Sequence, residues 1–403
     1  MNFGTLQLVL MLLAAAVGVV VVFRLLKLPA LIGYLLVGIA IGPHALGLLP
    51  DSPETRHLAE FGVVFLMFSI GLEFSLPKLM TMRRMVFGLG LLQVGATLLV
   101  CLGAAIAQGF GWRAGVVLGG IFAMSSTAIL AKMLAERLEL HSPHGRQILG
   151  ILLFQDLAVV PLLIILPALA QGGDALGREL VVALFKAALI LLLLLTIGQR
   201  LMRDWFTLVA RQKSSELFVL NVLLITLGLS WLTGLAGLSL ALGAFLAGML
   251  ISETPYRYQV EQDIKPFRDV LLGLFFVTVG MRLDLAVLVA DWHWIALLLG
   301  LSLAGKLALV VALSRLFGSD TGVALRTGLA LAGAGEFGLV LLAQAGSMDL
   351  LPPVILQWVL AVLVLSMLMA PFLIQHSEPL VRRFAASEWT RRAMALHQIA
   401  VQT

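Results

Sequence analysis

Charge is what this chain has least of. Of its 403 residues only 12% are Asp, Glu, Lys or Arg, where a soluble domain carries roughly a quarter. Cysteine is nearly absent: the single Cys101 excludes an intrachain disulfide, and no Cys/His cluster offers a metal site. Low-complexity tracts are missing, and nothing reads as a soluble domain. The opening Met1-Asn2-Phe3-Gly4 lacks a basic stretch, so the first apolar run is expected to be retained as a helix and not cleaved as a signal peptide.

Apolar residues make up 61% of the chain. They come in runs of roughly 16–24, and about 20 such residues cross a bilayer as a helix. The pattern predicts an all-α polytopic membrane protein of about thirteen spans, at 6–23, 28–42, 58–75, 85–107, 114–134, 147–170, 180–198, 216–232, 235–252, 268–281, 293–317, 322–345 and 352–375. The net charge of +5 could suit nucleic acid, but the basic residues sit in loops, mostly in every second loop. Loops after odd-numbered spans and the span ends beside them, with the C-terminal tail, hold 21 Lys and Arg, and loops after even-numbered spans hold 4. Positive loops stay in the cytoplasm. The split therefore places the N-terminus outside and the C-terminus inside, requires an odd number of spans, and points to membrane lipid and not nucleic acid as the partner.

A charged side chain at mid-bilayer costs at least ~2.5–3.5 kcal/mol and persists where it faces a cavity or a partner. Asp156, in Phe154-Gln155-Asp156-Leu157, lies about 12 Å into the sixth span at 1.5 Å per residue. Desolvation and nearby positive charge act on it in opposite senses, and their balance could let a proton and a metal cation compete for it. A purely structural carboxylate is the alternative. Lys306, deep in the eleventh span among small residues, is the natural partner of Asp156, either as a fixed counter-ion or as one released when an ion binds.

Ser125-Ser126-Thr127 falls in the middle of the fifth span, and Gly333-Ala334-Gly335-Glu336 in the middle of the twelfth. Both are poor continuous helix and suit unwound stretches that line a cavity, although Gly and Ser also serve simple helix contacts. With spans 1–6 (about 6–170) and 8–13 (about 216–375) as repeats and span 7 (about 180–198) as linker, the two interruptions are equivalent. A six-span repeat is inverted by construction, and matched interruptions mark a transporter's binding site. Half-helix carbonyl ends and the three hydroxyls would help dehydrate a cation, and Glu336 could neutralise exposed positive half-helix ends. Glu60, Glu73, Lys186 and the seven histidines read as boundary or loop residues. The charged stretch 256–268 reads as a cytoplasmic loop, a gate or a docking surface for a regulatory partner.

The chain resembles the monovalent cation:proton antiporter-2 family, and within it the Kef-type potassium efflux branch. The resemblance covers about residues 5–375. It rests on Gly33-Tyr34-Leu35-Leu36-Val37-Gly38 with Gly42-Pro43, Gly71-Leu72-Glu73, Ser125-Ser126-Thr127-Ala128, Leu153-Phe154-Gln155-Asp156, Pro266-Phe267 through Gly280-Met281, Lys306 and Gly335-Glu336-Phe337. It implies a sodium/proton antiporter-like fold with two crossed discontinuous helices, a dimerisation domain and hence a homodimer, a mobile core domain, and elevator-like alternating access in a bacterial inner membrane. It also implies that Asp156 binds the ion and that Gln155 stands where Na+/H+ relatives carry Asp or Asn. The branch's C-terminal nucleotide-binding regulatory domain is expected to be absent. Residues 376–403 read as a short cytoplasmic tail, so glutathione gating is not carried over.

Gln155 cannot ionise, so the pair offers one titratable group. One proton or one cation per cycle makes the exchange 1:1 and electroneutral. The expected function is K+/H+ exchange without a cofactor, K+ (or Na+) and H+ being cargo. A Na+/H+ antiporter, a ligand-gated K+ efflux channel and a symporter of organic anions are the alternatives. The chain has no HExxH and no evident Ser/His pair within the membrane, which argues against an enzyme.

Overall fold

The fold is described from a computed structural model for residues 5–25, 30–49, 53–73, 80–171, 182, 185, 189, 198–212, 214–236, 239–375, 377–379 and 381. Among them no strand occurs. In chain order the helices are α1 (Thr5–Leu25), α2 (Ala30–Ile41) and α3 (Pro53–Glu73), then a π-helical stretch Arg84–Gly90 leading into α4 (Leu91–Ala107). α5 (Gly111–Ala123), α6 (Thr127–Glu136), α7 (Pro143–Gln171), α8 (Gln199–Ala210), α9 (Ser215–Leu235) and α10 (Leu240–Ser252) follow. α11 (Arg257–Met281), α12 (Leu285–Ala290), α13 (Trp292–Leu316), α14 (Thr321–Leu331), α15 (Glu336–Ser347) and α16 (Pro353–Gln375) complete the series.

The expected spans other than the seventh each fall on a helix or on a pair of helices. Most of span seven, Lys186 within it, and most of the tail from 376 lie outside the described residues. By length and apolarity, six helical stretches of the described residues are able to cross a membrane, counting Arg84–Ala107 and Gly111–Glu136 each as one, or seven if the bent pair α14 and α15 is one span. The thirteenfold count is therefore not reached on these grounds.

Two stretches differ from the sequence reading. Residues 257–268, expected as a charged loop, are the first turns of the 25-residue α11. Charges do not oppose helix where the helix extends past the apolar zone, and Val260 and Ile264, one turn apart, are buried there. Residues 199–210, expected as loop, form the amphipathic α8. Its Phe206 is fully buried against Phe218 and Tyr256, while Leu201, Trp205 and Leu208 are exposed.

The chain divides into two compact units, each drawing on both halves of the sequence. The first comprises residues 1–80, 159–290 and 343–353. Its helices meet through glycine. A Cβ on Gly71 would lie 2.1 Å from the Phe245 carbonyl oxygen, one on Gly248 2.1 Å from that of Phe68, and one on Gly38 2.0 Å from that of Val277. These contacts bring α3 onto α10 and α2 onto α11 backbone to backbone, as small residues allow within a membrane. Gly248→Ala is expected to destabilise the protein by ~1–3 kcal/mol, the usual cost of overpacking, because the obstacle is backbone and cannot rotate away. Gly300→Ala, in α13 with nothing within 4 Å, should be neutral or slightly stabilising, by up to about 1 kcal/mol. Thermal melts of the two purified variants in detergent compare these outcomes, and equal midpoints would refute the packing argument.

The second unit comprises residues 81–158, 291–342 and 354–403. Here Gly115 and Gly119 set α5 against the backbone of Leu102 and Leu98 in α4, and Gly328 sets α14 against Leu307 and Val311 in α13. Both helix breaks, at 124–126 and 332–335, lie in this unit.

Candidate functional site

Helix stops at Ala123 and restarts at Thr127. Met124 and Ser126 between them are extended, with φ −74° and ψ 142° and with φ −77° and ψ 108°. Hydroxyl side chains compete for backbone groups and favour the residue just before a helix. Ser126 does this: its Oγ accepts the Ile129 N–H at 3.3 Å and caps α6. The second break runs from Ala332 to Gly335 between α14 and α15, with a bend of 41°. The Ala334 N–H freed there donates to the Ser366 hydroxyl of α16 at 3.2 Å.

The two breaks touch. A Cβ on Gly335 would lie 2.3 Å from the Ser125 carbonyl carbon and 2.6 Å from the Ser126 nitrogen, so only glycine fits. The Ser125 hydroxyl donates to the Leu331 carbonyl at 2.9 Å, across 206 residues of sequence. Four half-helix ends thus converge: the C-terminal ends of α5 and α14 and the N-terminal ends of α6 and α15.

Each half-helix end carries a partial charge of about half an electron, negative at the C-terminus and positive at the N-terminus. The two buried charged side chains divide these ends between them. Lys306 Nζ donates to the Met124 carbonyl at 2.6 Å and to the Gly333 carbonyl at 3.4 Å, at the C-terminal ends of α5 and α14. Glu336 opens α15, and its Oε1 accepts the Ala128 N–H in the first turn of α6 at 3.4 Å. Its Oε2 is buried without a hydrogen-bond partner among the described residues. The cavity beside Lys306, lined by Phe122, Ser302, Ala334 and Ser366 among others, measures about 10 Å³. That holds at most a single water.

Asp156 is placed differently. It is half-buried, and its Oδ1 accepts the Thr127 hydroxyl at 3.0 Å. Thr127 is half-buried as well, and Ala128 next to it is exposed, so the carboxylate can be reached. Gln155 points the other way and is fully buried. Its Oε1 accepts the Ser125 N–H at 2.7 Å, and its Nε2 donates to Gln93 Oε1 at 2.8 Å. Gln93 Nε2 donates in turn to the Ala123 carbonyl at 3.2 Å and to the Thr97 hydroxyl at 3.3 Å.

Of the five expected ion-binding side chains, the structure bonds Thr127 to Asp156 directly. Ser125 joins Gln155 through its backbone N–H, and the Ser125 and Ser126 oxygens are engaged with backbone. Lys306, expected as the partner of Asp156, bonds the carbonyls of Met124 and Gly333. Gln93 was not singled out in the sequence, although a lone amide in the run Leu91–Val100 is the same kind of signal as Asp156.

A family model described as "Sodium/hydrogen exchanger, transmembrane" matches residues 10–376. The chain belongs to that sodium/hydrogen exchanger family. Among curated relatives, it is 42% identical over 391 residues to the putative K(+) efflux antiporter KefB of Alkalimonas amylolytica, covering 97% of this chain and 59% of that protein. It is 43% identical over 387 residues to the chloroplastic K(+) efflux antiporter 2 of Arabidopsis thaliana, covering 93% of this chain and 33% of that protein. The chain therefore spans about a third of the plant relative's length and just over half of the bacterial one's. These relatives agree with the Kef-type resemblance carried by the motifs. In fold, the chain is similar to the sodium proton antiporter MjNhaP1 of Methanocaldococcus jannaschii, with a TM-score of 0.68 at 18% identity, covering 92% of this chain and 97% of that one. Among the described residues no group of three or more His, Cys, Asp or Glu could hold a metal ion.

Proposed function

We propose that the chain exchanges a monovalent cation, K+ first, for a proton, with Asp156 holding one or the other in turn. The observation that carries this is the contrast between the two buried charges and Asp156. Lys306 and Glu336 sit at half-helix ends, where each completes the crossing electrostatically. Asp156 lies beside the crossing, half-buried and bonded to a hydroxyl, where an ion can arrive and leave. The Thr127 hydroxyl oxygen supplies a neutral ligand beside the carboxylate. Gln155 and Gln93 hold the Ser125 backbone in place, so the unwound segment keeps its shape while the ion changes. The hydroxyls of Ser125 and Ser126 keep lone pairs that could face a dehydrated cation.

The preference for K+ rests on the relatives described as K(+) efflux antiporters. The site adds the charge count: with Gln155 neutral, one carboxylate carries one charge each way, and the cycle is electroneutral. The 21:4 split of basic residues supports a bacterial inner membrane with the C-terminus in the cytoplasm. We take the working form as a homodimer in lipid, and a regulatory partner would meet the charged first turns of α11.

The test is collapse of a pH gradient in vesicles containing the full chain, reported by a pH-sensitive dye, with K+, Na+ and Rb+ titrated in turn. K+ should act at the lowest concentration. A valinomycin-clamped potential should leave the rate unchanged, whereas each net charge moved would add about 2.3 kcal/mol per 100 mV. A rate that follows the potential would overturn electroneutrality. Cation flux that neither saturates nor requires protons would overturn exchange in favour of a channel.

A further inference from the structure

A cavity of about 520 Å³ in the second unit is not used by the exchange reading. It lies where the π-helical stretch, α7 and α14 all begin. Its wall carries three guanidinium groups, from Arg83, Arg84 and Arg146. All three are exposed, and none is ion-paired to a described residue. Asp320 is the one acidic residue in the described wall, leaving a formal excess of two positive charges.

The floor is fixed. Gln147 is buried, its Oε1 accepting the hydroxyls of Ser314 at 2.7 Å and Thr327 at 3.2 Å, and its Nε2 donating to the Ser319 hydroxyl. Two helix N-termini open onto the cavity. Pro143 begins the 29-residue α7, and Asp320 immediately precedes the 11-residue α14. Both therefore bring partial positive charge to the same space.

Arginines that merely orient a membrane protein need only lie on one side of it. They need not share a concave wall with two helix starts and a rigid polar floor. Guanidinium forks match phosphate oxygens in pairs, and a phosphomonoester carries about −1.5 to −2 charges near neutrality, which answers the excess of two. The volume lies in the range of small-ligand sites, roughly 300–1,000 Å³.

We propose that this cavity is a binding site for a phosphate-bearing anion, either an anionic lipid headgroup or a free phosphomonoester. On the orientation read from the loops, it opens at the cytoplasmic surface. α7 also carries Asp156, and α14 ends at the crossing, so an occupant would touch both elements that build the ion site.

The test uses the purified full chain in detergent, with melting midpoint and tryptophan fluorescence read against dioleoylphosphatidic acid, dioleoylphosphatidylcholine and glycerol 1-phosphate. A saturable response to phosphatidic acid alone supports the proposal with lipid as the source. A saturable response to glycerol 1-phosphate as well supports it with a soluble anion as the source. In the triple variant Arg83→Gln, Arg84→Gln, Arg146→Gln, apparent affinity should fall at least about tenfold, or about 1.4 kcal/mol. Arg211→Gln, in the first unit, should leave it unchanged. Because the triple variant could fold poorly, Asp320→Asn provides an independent gain of function: removing the carboxylate should tighten binding. No saturable response to any probe, an equal loss in the Arg211 variant, or unchanged affinity in Asp320→Asn would overturn the proposal.

Discussion

Asp156→Asn is expected to lower cation-driven proton exchange by at least about a hundredfold while leaving the protein folded. An asparagine has the same shape, and its Oδ1 can still accept the Thr127 hydroxyl that Asp156 accepts at 3.0 Å. What disappears is the group that takes up a proton or balances a cation. General acid–base groups are typically worth 10²–10⁴ in rate. A carrier whose only mobile charge is removed should fall at least as far, because neither half of the cycle can proceed. Exchange in proteoliposomes, followed by dye on either a K+ or a Na+ gradient, gives the rate, and a thermal melt gives the fold. A midpoint close to that of the parent protein with exchange lost is the expected pair of results. Full exchange in the folded variant would remove Asp156 from the mechanism and redirect attention to Glu336, the buried carboxylate of the crossing.

The elements of this argument were unequally legible in the sequence. The two interruptions could be read because hydroxyls at 125–127 and glycines at 333 and 335 both disfavour continuous helix, and they do so without reference to the rest of the fold. Asp156 and Lys306 could be read because charge in an apolar run is costly. Their partners could not. The groups that Lys306 bonds are backbone carbonyls at Met124 and Gly333, and a carbonyl carries no side-chain signature. Which half-helix pole faces which charge is set by the way the two helices cross, and residue types do not reveal that. Gln93 was passed over because an uncharged amide is a weaker signal, although it ties Gln155 to the end of α5. The charges of 257–268 and of α8 point to loop, because charge interrupts an apolar run whether or not the helix continues through it. In both, buried apolar residues recur at helical spacing or stack on aromatics, and charge alone decided wrongly.

Lys306→Met should cost the protein more stability than Glu336→Gln, and the difference separates two roles for the lysine. The ammonium is buried, 7% exposed, and bonded to carbonyls at 2.6 and 3.4 Å. Methionine fills much the same volume without a charge. Two C-terminal half-helix ends would then face each other, each carrying about half a negative charge, and the 10 Å³ cavity beside them cannot admit enough water to replace the lost donor. Breaking a buried charged contact on one side costs on the order of 3 kcal/mol. Glutamine at 336 still offers an acceptor to the Ala128 N–H and forfeits only the charge at two N-terminal ends, worth ~0.3–2 kcal/mol. The double variant should be less destabilised than the sum of the singles, because each single variant leaves one buried charge in the crossing without its opposite. Melts of the three variants in one detergent measure these differences, and half-saturation by K+ at a temperature where all are folded measures transport. If the lysine instead served as the exchangeable counter-ion of Asp156, Lys306→Met would melt like the parent protein and shift the K+ concentration at half-saturation. A lowered midpoint with exchange retained in the surviving folded fraction is the result that makes Lys306 part of the frame, leaving Asp156 as the group that moves charge.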